Sequence, residues 1–411
     1  MRILFLPPYF IPEQTASSHL DDNRYHAFAD NGFYMICHVS TPTRGIDDAV
    51  RNEYRNRKFE TMYHGQMEVY RFSMYKEGRN PIGRAFRYMF CCGLQFYKSL
   101  SVENIDLIYL VSTPPIQGVL GGLLKKIKKI PFVYNLQDIF PDSLVGAGLA
   151  KKGGLLWKIG RVIEDFTYRN ADKIIVISED FKRNIMAKGV PEEKIVVVYN
   201  WVDEEAVKHV PRENNKLFDV YGLDRSKFYI TYCGNIGLTQ NMDMLLDVAK
   251  ELENEPNIQF VLIGEGAYKE EVKVIIKEKN IKNVTLLPFQ PYEDISHVFS
   301  LGDAGLVISK PGVGENSVPS KTWSILSASR PVLANFDENE LKSIIDKNKC
   351  GIFTAAGDKA AFREAILTMY KNRSLCKEMG ENGRQFILDN LTRAVGTQKY
   401  VDVIKAFETN K

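Results

Sequence analysis

The sequence predicts an α/β protein built from two doubly wound, mainly parallel, Rossmann-like sheets that face a cleft. Three observations predict it. The chain has 411 residues, more than one ordinary core holds and enough for two domains of roughly 200 residues. Apolar strands alternate with amphipathic helices through the first 200 residues, and the alternation restarts near residue 216. A polar, irregular stretch, EEAVKHVPRENN, lies between the two runs.

In chain order the first run gives strands at RILFLPPY, YMICHVST, MEVYRFSM, DLIYLVST, PFVYNLQD, KIIVISE and KIVVVYN. The second gives FYITYCG, IQFVLIG, VTLLPF, AGLVIS, PVLANF and GIFTAA, with helices such as NMDMLLDVAKEL between them. Near-continuous apolar runs of this kind belong to parallel strands covered on both faces. The expected organisation is an acceptor domain at 1–203, a linker at 204–215, a donor domain at 216–389, and a C-terminal helix at 390–411 that crosses back to the first domain. Ligands are expected beyond the carboxyl ends of the strands.

Composition narrows the function. With 45% hydrophobic and 26% charged residues the chain is globular, and a net charge of +3 is too mild to argue for nucleic acid. Six cysteines without a C-x-x-C pair read as reduced thiols of a cytoplasmic protein. MRILFLPPYF reads as a first strand rather than a signal peptide, and no run reaches the ~18 apolar residues of a spanning helix, so any membrane contact is expected to be peripheral. GRAFRYMFCCGLQFYKSL (83–100) and GGLLKKIKKI mix basic and aromatic or aliphatic residues, which suits anionic headgroups. The plainer reading is a core helix with a solvated basic edge.

The stretch that carries chemistry is SKPGVGENSVPSKTWSILSASRPVLA, from Ser309 to Ala334: a strand end, a glycine loop, a helix start and another strand. Free N–H groups in a glycine loop and at a helix start suit a diphosphate, and Lys310 and Lys321 add charge to the same field. An ordinary βαβ turn shaped by Gly and Pro is the plainer alternative. Two further glycine turns, CGNIG (Gly234, Asn235) and IGEG (Gly264, Gly266), follow strands of the same half, and together the loops make a nucleotide-diphosphate pocket. D-x-D and H-E-x-x-H are absent, as are a full G-x-G-x-x-G after the first strand, a P-loop and G-x-S-x-G. No protein-bound metal and no cofactor are expected.

ADKIIVISEDFKRNIMAKGVPEEKIVVVYNWVD, CGNIGLTQNMDMLLDVAK, FVLIGEGAYKEEV, VTLLPFQPYEDISHVFSLGDAGLVIS and SVPSKTWSILSASRPVLA stand in the order and spacing of glycosyltransferase family 4. Over nearly the whole chain the sequence resembles these retaining, metal-independent enzymes of the GT-B fold. VSTPPIQG and LQDIFPDS further resemble a bacterial surface-polysaccharide branch, of the O-antigen, capsule and colanic acid type, that acts on lipid-linked sugars.

The resemblance implies transfer of a sugar, expected to be N-acetylated, from a UDP-sugar to a lipid-linked saccharide at the inner face of the cell membrane. It places an Arg and a Lys where this chain has Asn235 and Gln240, and two glutamates where it has Asn316 and Ser324. The coherent alternative is that Lys310 and Lys321 neutralise the diphosphate, with Gly312, Gly314 and Ser320 around it, while Glu315 holds a sugar hydroxyl. Lys321 could equally be a solvated first-turn residue. On the acceptor side Glu13 and Ser17 follow the first strand, with Glu13 alternatively an exposed helix-entry acid. Asp138 and Asp142 are the carboxylates best placed to guide the acceptor proton, Asp142 alternatively being an N-cap. Two other functions stay open: a UDP-N-acetylglucosamine 2-epimerase-like enzyme, and a catalytically degenerate sugar-nucleotide-binding partner subunit.

Overall fold

The computed structural model describes residues 1–13, 18–78, 80–146, 150–314 and 318–408, with only the backbone of Pro81 and Ile82. It divides into two units, Met1–Tyr199 with Thr397–Lys411, and Asn200–Gly396. Two residues assigned to the site, Ser17 and Glu315, lie outside the described residues.

Unit 1 is one eight-stranded sheet of β1 (Arg2–Phe5), β2 (Tyr34–Ser40), β3 (Phe59–Met62), β4 (Met67–Phe72), β5 (Leu107–Val111), β6 (Phe132–Leu136), β7 (Lys173–Val176) and β8 (Ile195–Val197). Its order is β3-β4-β2-β1-β5-β6-β7-β8. Every neighbouring pair is parallel except β3 with β4. The apolar runs form these strands because both faces are covered: Ile108, Leu110, Phe132 and Ile174 are fully or almost fully buried. The short edge strand β3 escapes a hydrophobic-run reading because Phe59 and Thr61 face solvent. From Thr397 the last helix (Arg393–Lys405) belongs to this unit. Buried Tyr400 donates to Asn135 Oδ1 at 3.2 Å, and the Arg24 guanidinium lies 4.9 Å from its ring centre.

Unit 2 holds β9 (Phe228–Cys233), β10 (Ile258–Ile263), β11 (Val284–Leu287), β12 (Ala304–Ile308), β13 (Val332–Phe336) and β14 (Gly351–Ala355), ordered β11-β10-β9-β12-β13-β14 and parallel throughout. The polar stretch 204–215 lies in this unit. Its irregular backbone is satisfied by serine hydroxyls: Ser296 Oγ donates to Ala206 O at 2.7 Å and accepts from Lys208 N at 2.8 Å, and Ser327 Oγ donates to Val207 O at 2.6 Å.

Both sheets reverse their winding at one place, between β1 and β5 in unit 1 and between β9 and β12 in unit 2. The crevice outside the carboxyl ends at such a reversal is where open α/β sheets take ligands.

The helix Pro81–Leu100 packs Cys91, Cys92, Leu94 and Phe96 against the core, as the core-helix alternative expects. The same buried side also carries polar residues: Arg87 is 1% exposed and bonds to Thr43 Oγ1, and Gln95 Nε2 donates to Pro7 O at 2.9 Å and His38 O at 3.0 Å. Phe86, Met89, Phe90, Tyr97 and Leu100 face solvent, Phe86 at 62% and Tyr97 at 74% exposure. The backbone carbonyls and hydroxyls at the sheet edge draw in the polar residues, so the aromatic stripe is left outside.

Candidate functional site

In unit 2 the loops after β9 and β12 meet at the winding reversal. Lys310 N, just past β12, donates to Thr239 O at 2.8 Å. The loop after β9 is set by its own side chains: Tyr232 Oη donates to Asn235 O at 2.5 Å, and Gly237 N donates to Gln240 Oε1 at 3.0 Å. Gln240 therefore serves the turn through its oxygen, and Asn235 lies across Gly237 and Gly266, where a β-carbon would meet its side chain at 2.6 and 2.7 Å.

The centre of this cluster is Lys321, first residue of the helix Lys321–Ser327. Its ammonium stands 3.7 Å from the centre of the Tyr232 ring, and a β-carbon on Gly234 would meet Nζ at 3.1 Å. Among the described residues no carboxylate pairs with it. Burial pushes the amine down to about 8, and the neighbouring Cys233 only partly opposes this. A largely enclosed cation held on an aromatic face without a counter-ion is a charge waiting for an anion. Lys310 stands on the other side of the same turn, its Nζ 5.8 Å from the Tyr268 ring centre.

The glycines divide differently from the sequence expectation. Gly312 N and Gly314 N donate to the two oxygens of Asp337, at 2.9 and 2.6 Å, and Gly314 O accepts from Asn339 Nδ2 at 2.7 Å. A protein carboxylate thus occupies the amides expected to meet a diphosphate. The helix start is also partly used, since Thr322 N and Trp323 N bond back to Pro319 O and Ser320 O, and Ser320 is exposed. With seven residues the helix adds little dipole, so Lys321 carries the site's positive charge.

Gly264 and Gly266 serve loop packing. A β-carbon on Gly264, at φ +149°, would stand 1.9 Å from Gly234 O, and one on Gly266 would stand 2.2 Å from Ile236 O. Gly264→Ala is expected to push the two turns apart, destabilising unit 2 by ~2–3 kcal/mol, the cost of overpacking with a strained backbone. Denaturant titration measures this, and an unchanged midpoint would contradict it.

In unit 1 the loop after β6 holds Asp138. Ser112 Oγ, after β5, accepts from Gln137 N at 2.9 Å and Asp138 N at 3.2 Å, and Ser143 Oγ donates to Asp138 Oδ2 at 3.0 Å. Crowding by surrounding protein raises the Asp138 carboxyl above the ordinary value, against those hydrogen bonds, while the residue stays solvent-accessible. Asp142 is committed elsewhere. Lys188 Nζ lies 2.8 Å from it, and the ion pair, with Asn184 and Trp157, outweighs burial and holds the carboxyl low. Lys188 also pairs with buried Glu164 at 2.8 Å, so Asp142 is part of an ion-pair network with that lysine.

Glu13 is corrected too. It is 2% exposed and accepts from Thr43 N (2.6 Å), Arg44 N (2.8 Å), Thr43 Oγ1 (3.2 Å) and Phe10 N (3.3 Å). It clamps two loops instead of facing an acceptor. Tyr232 and Asp337 were not anticipated from sequence, although each lies at or just past the carboxyl end of a recognisable strand.

Two doubly wound, mainly parallel sheets of this topology are the architecture of the GT-B fold. The family models agree: residues 28–206 match Glycosyltransferase Family 4 and residues 213–386 match Glycosyl transferases group 1. The chain belongs to this family of glycosyltransferases. It is 29% identical over 208 residues to an Escherichia coli protein provisionally named colanic acid biosynthesis glycosyl transferase WcaI, a match spanning 50% of this chain and 51% of that one. It is 24% identical over 305 residues to the provisionally named glycosyltransferase WbjE of Pseudomonas aeruginosa, spanning 73% and 74%. The structure of Anabaena HepE, solved in complex with UDP, superposes with a TM-score of 0.72 at 17% identity, covering 99% of this chain and 100% of that one.

Proposed function

We propose that the protein is a retaining glycosyltransferase that moves a sugar, expected to be N-acetylated, from a UDP-sugar to a lipid-linked saccharide in surface-polysaccharide assembly. The observation that carries the reading is Lys321, an enclosed ammonium on Tyr232 with no carboxylate partner among the described residues. Lys310 supplies a second charge, so the leaving diphosphate is neutralised by protein cations without a metal. UDP binding by HepE and the relationship to WcaI support the donor and the pathway class.

In the reaction the bond from the sugar's anomeric carbon to the diphosphate oxygen breaks and one to the acceptor oxygen forms on the same face. The acceptor's proton passes to the leaving diphosphate, so stabilising that leaving group is the main demand on the site. Asp138, exposed and with a raised carboxyl, orients the acceptor hydroxyl. Asp138→Asn should lower kcat about 10–100-fold with UDP affinity unchanged; loss of UDP affinity instead would remove Asp138 from the acceptor side.

Membrane association is part of the reading. No helix among the described residues is long and apolar enough to cross a membrane. The exposed stripe on Pro81–Leu100 is joined by exposed Leu123 and Ile127 on the adjacent helix Ile116–Lys128, whose last turn carries Lys125, Lys126 and Lys128. An apolar stripe edged by lysines suits the inner, anionic face of a membrane.

An epimerase needs an acid–base histidine at the donor loops. The two histidines of unit 2 lie toward the amino edge of the sheet: His209 Nδ1 is 3.3 Å from Ala328 O, ahead of β13, and His297 precedes β12. Calorimetric titration with UDP, GDP and ADP, followed by turnover with a lipid-linked acceptor, tests the reading. Binding restricted to UDP with retained anomeric configuration in the product is expected. Epimerisation without acceptor, or no nucleotide binding, would overturn it.

A further inference from the structure

Unit 1 contains an open cleft of about 450 Å³ at the carboxyl ends of β2 and β4, lined by Thr41, Arg51, Asn52, Arg55, Tyr75 and Phe90 among others. This is within the size range of small-ligand sites. Arg51 and Arg55 stand one turn apart on the helix Asp48–Arg55, so both guanidinium groups serve one face. Arg51 uses one nitrogen to reach Met74 O at 3.2 Å. Arg55 has no hydrogen bond or ion pair among the described residues, and no carboxylate lines the cleft. The two acids on that helix pair with other cations, Asp48 with Lys76 at 2.7 Å and Glu53 with Arg57 at 2.6 Å.

The contrast with a second cleft in the same unit is informative. The cleft of about 510 Å³ lined by Arg161, Lys188 and Lys194 is equally basic. Three of its four cations are already used: Arg161 pairs with Glu164 and Asp165, Lys188 with Asp142 and Glu164, and Lys194 with two carbonyls, while Arg169 shares the lining with the carboxylate of Asp165. The Arg51–Arg55 cleft differs in having no carboxylate in its lining and in holding Arg55 wholly free and Arg51 bound through one nitrogen only, and the planar guanidinium fork suits phosphate oxygens.

Its other wall is aromatic. Phe90 and Tyr75 are 55% and 51% exposed at the cleft, and Phe90 belongs to the outward stripe of Pro81–Leu100 with Phe86, Met89 and Tyr97. An anion site therefore opens onto an apolar track about as long as the helix. We propose that this cleft binds the diphosphate of an isoprenyl-diphosphate-linked acceptor, with Arg51 and Arg55 on the phosphates and the isoprenoid chain along Phe90 and the stripe. The assignment rests on the lipid-linked acceptor of the proposed function and adds the residues that hold its headgroup.

The test is calorimetric binding of farnesyl diphosphate to the full chain with UDP saturating, so that the donor site is filled. Farnesyl diphosphate should bind more tightly than inorganic pyrophosphate or farnesol. Arg55→Glu should weaken it about tenfold or more, the loss expected for one charge-assisted contact turned repulsive. Phe90→Ser should weaken farnesyl diphosphate while leaving pyrophosphate unchanged. Arg55 is exposed and makes no internal bond, so its variant keeps the wild-type melting temperature, and Arg51→Ala/Arg55→Ala provides a second measure. Equal affinity of wild type and Arg55→Glu, binding of pyrophosphate as tight as the isoprenyl diphosphate, or binding of farnesol as tight, would each overturn the proposal. UDP affinity measured separately reports on the donor reading, so the two can fail independently.

Discussion

Lys321→Met is expected to make the unliganded protein more stable while nearly abolishing donor binding. Burial holds the folded-state amine at about 8, below its ordinary 10.5, so the charged form is disfavoured by folding. At about 1.4 kcal/mol per pKa unit the cost approaches ~3 kcal/mol as a ceiling. The Tyr232 contact returns ~0.5–2 kcal/mol of this, and a net gain of ~1–2 kcal/mol should appear for methionine. The cost is present in full at pH below about 8 and fades as pH rises toward the ordinary lysine value. The stability gap between variant and wild type should therefore close across that alkaline window.

UDP should show the opposite ranking. Losing a desolvated cation opposite a diphosphate costs ~2–5 kcal/mol, about 30-fold or more in affinity. Wild-type affinity should fall as pH rises through 8, and Lys321→Arg, charged throughout, should flatten that fall. Unchanged UDP affinity together with an unchanged melting temperature would show that Lys321 is an ordinary surface lysine.

The features legible in sequence are those carried by local pattern. Apolar runs such as IQFVLI and LIYLV announce buried parallel strands, and a lysine in the first turn of a helix after a glycine loop signals a nearby anion. What the pattern could not reveal is which partner a group takes from far along the chain. Gly312 and Gly314 carry the same signal whether their amides bind a diphosphate or Asp337, and only the fold brings the strand after them close enough to decide. Helical periodicity likewise separates Phe86, Met89, Phe90 and Tyr97 from Arg87, Gln95 and Ser99 without saying which face is inside. The carbonyls of Pro7 and His38 and the hydroxyl of Thr43 settle that, and they come from three other loops and strands. Asp142 and Glu13 share this origin, since Lys188 and Thr43 lie 46 and 30 residues away in sequence.

Glu13 gives the second large effect. Glu13→Ala should destabilise unit 1 by ~3–5 kcal/mol, because it strands the amides of Phe10, Thr43 and Arg44 in or near the interior, each at ~1–3 kcal/mol. Glu13→Gln keeps the shape but turns a donor toward Phe10 N, and should cost less. Burial raises the Glu13 carboxyl above its ordinary value despite those hydrogen bonds, so its ionisation opposes folding. The penalty is absent at pH below the ordinary carboxyl value and grows as pH rises from there through the folded-state value. Wild type should therefore lose stability relative to Glu13→Gln on going from acid to neutral pH, on top of a constant hydrogen-bond advantage. Paired denaturant melts across that range separate the two contributions. An Ala variant that melts with wild type and loses only acceptor affinity would instead put Glu13 back among the acceptor-binding residues and leave the 41–44 loop held by something else.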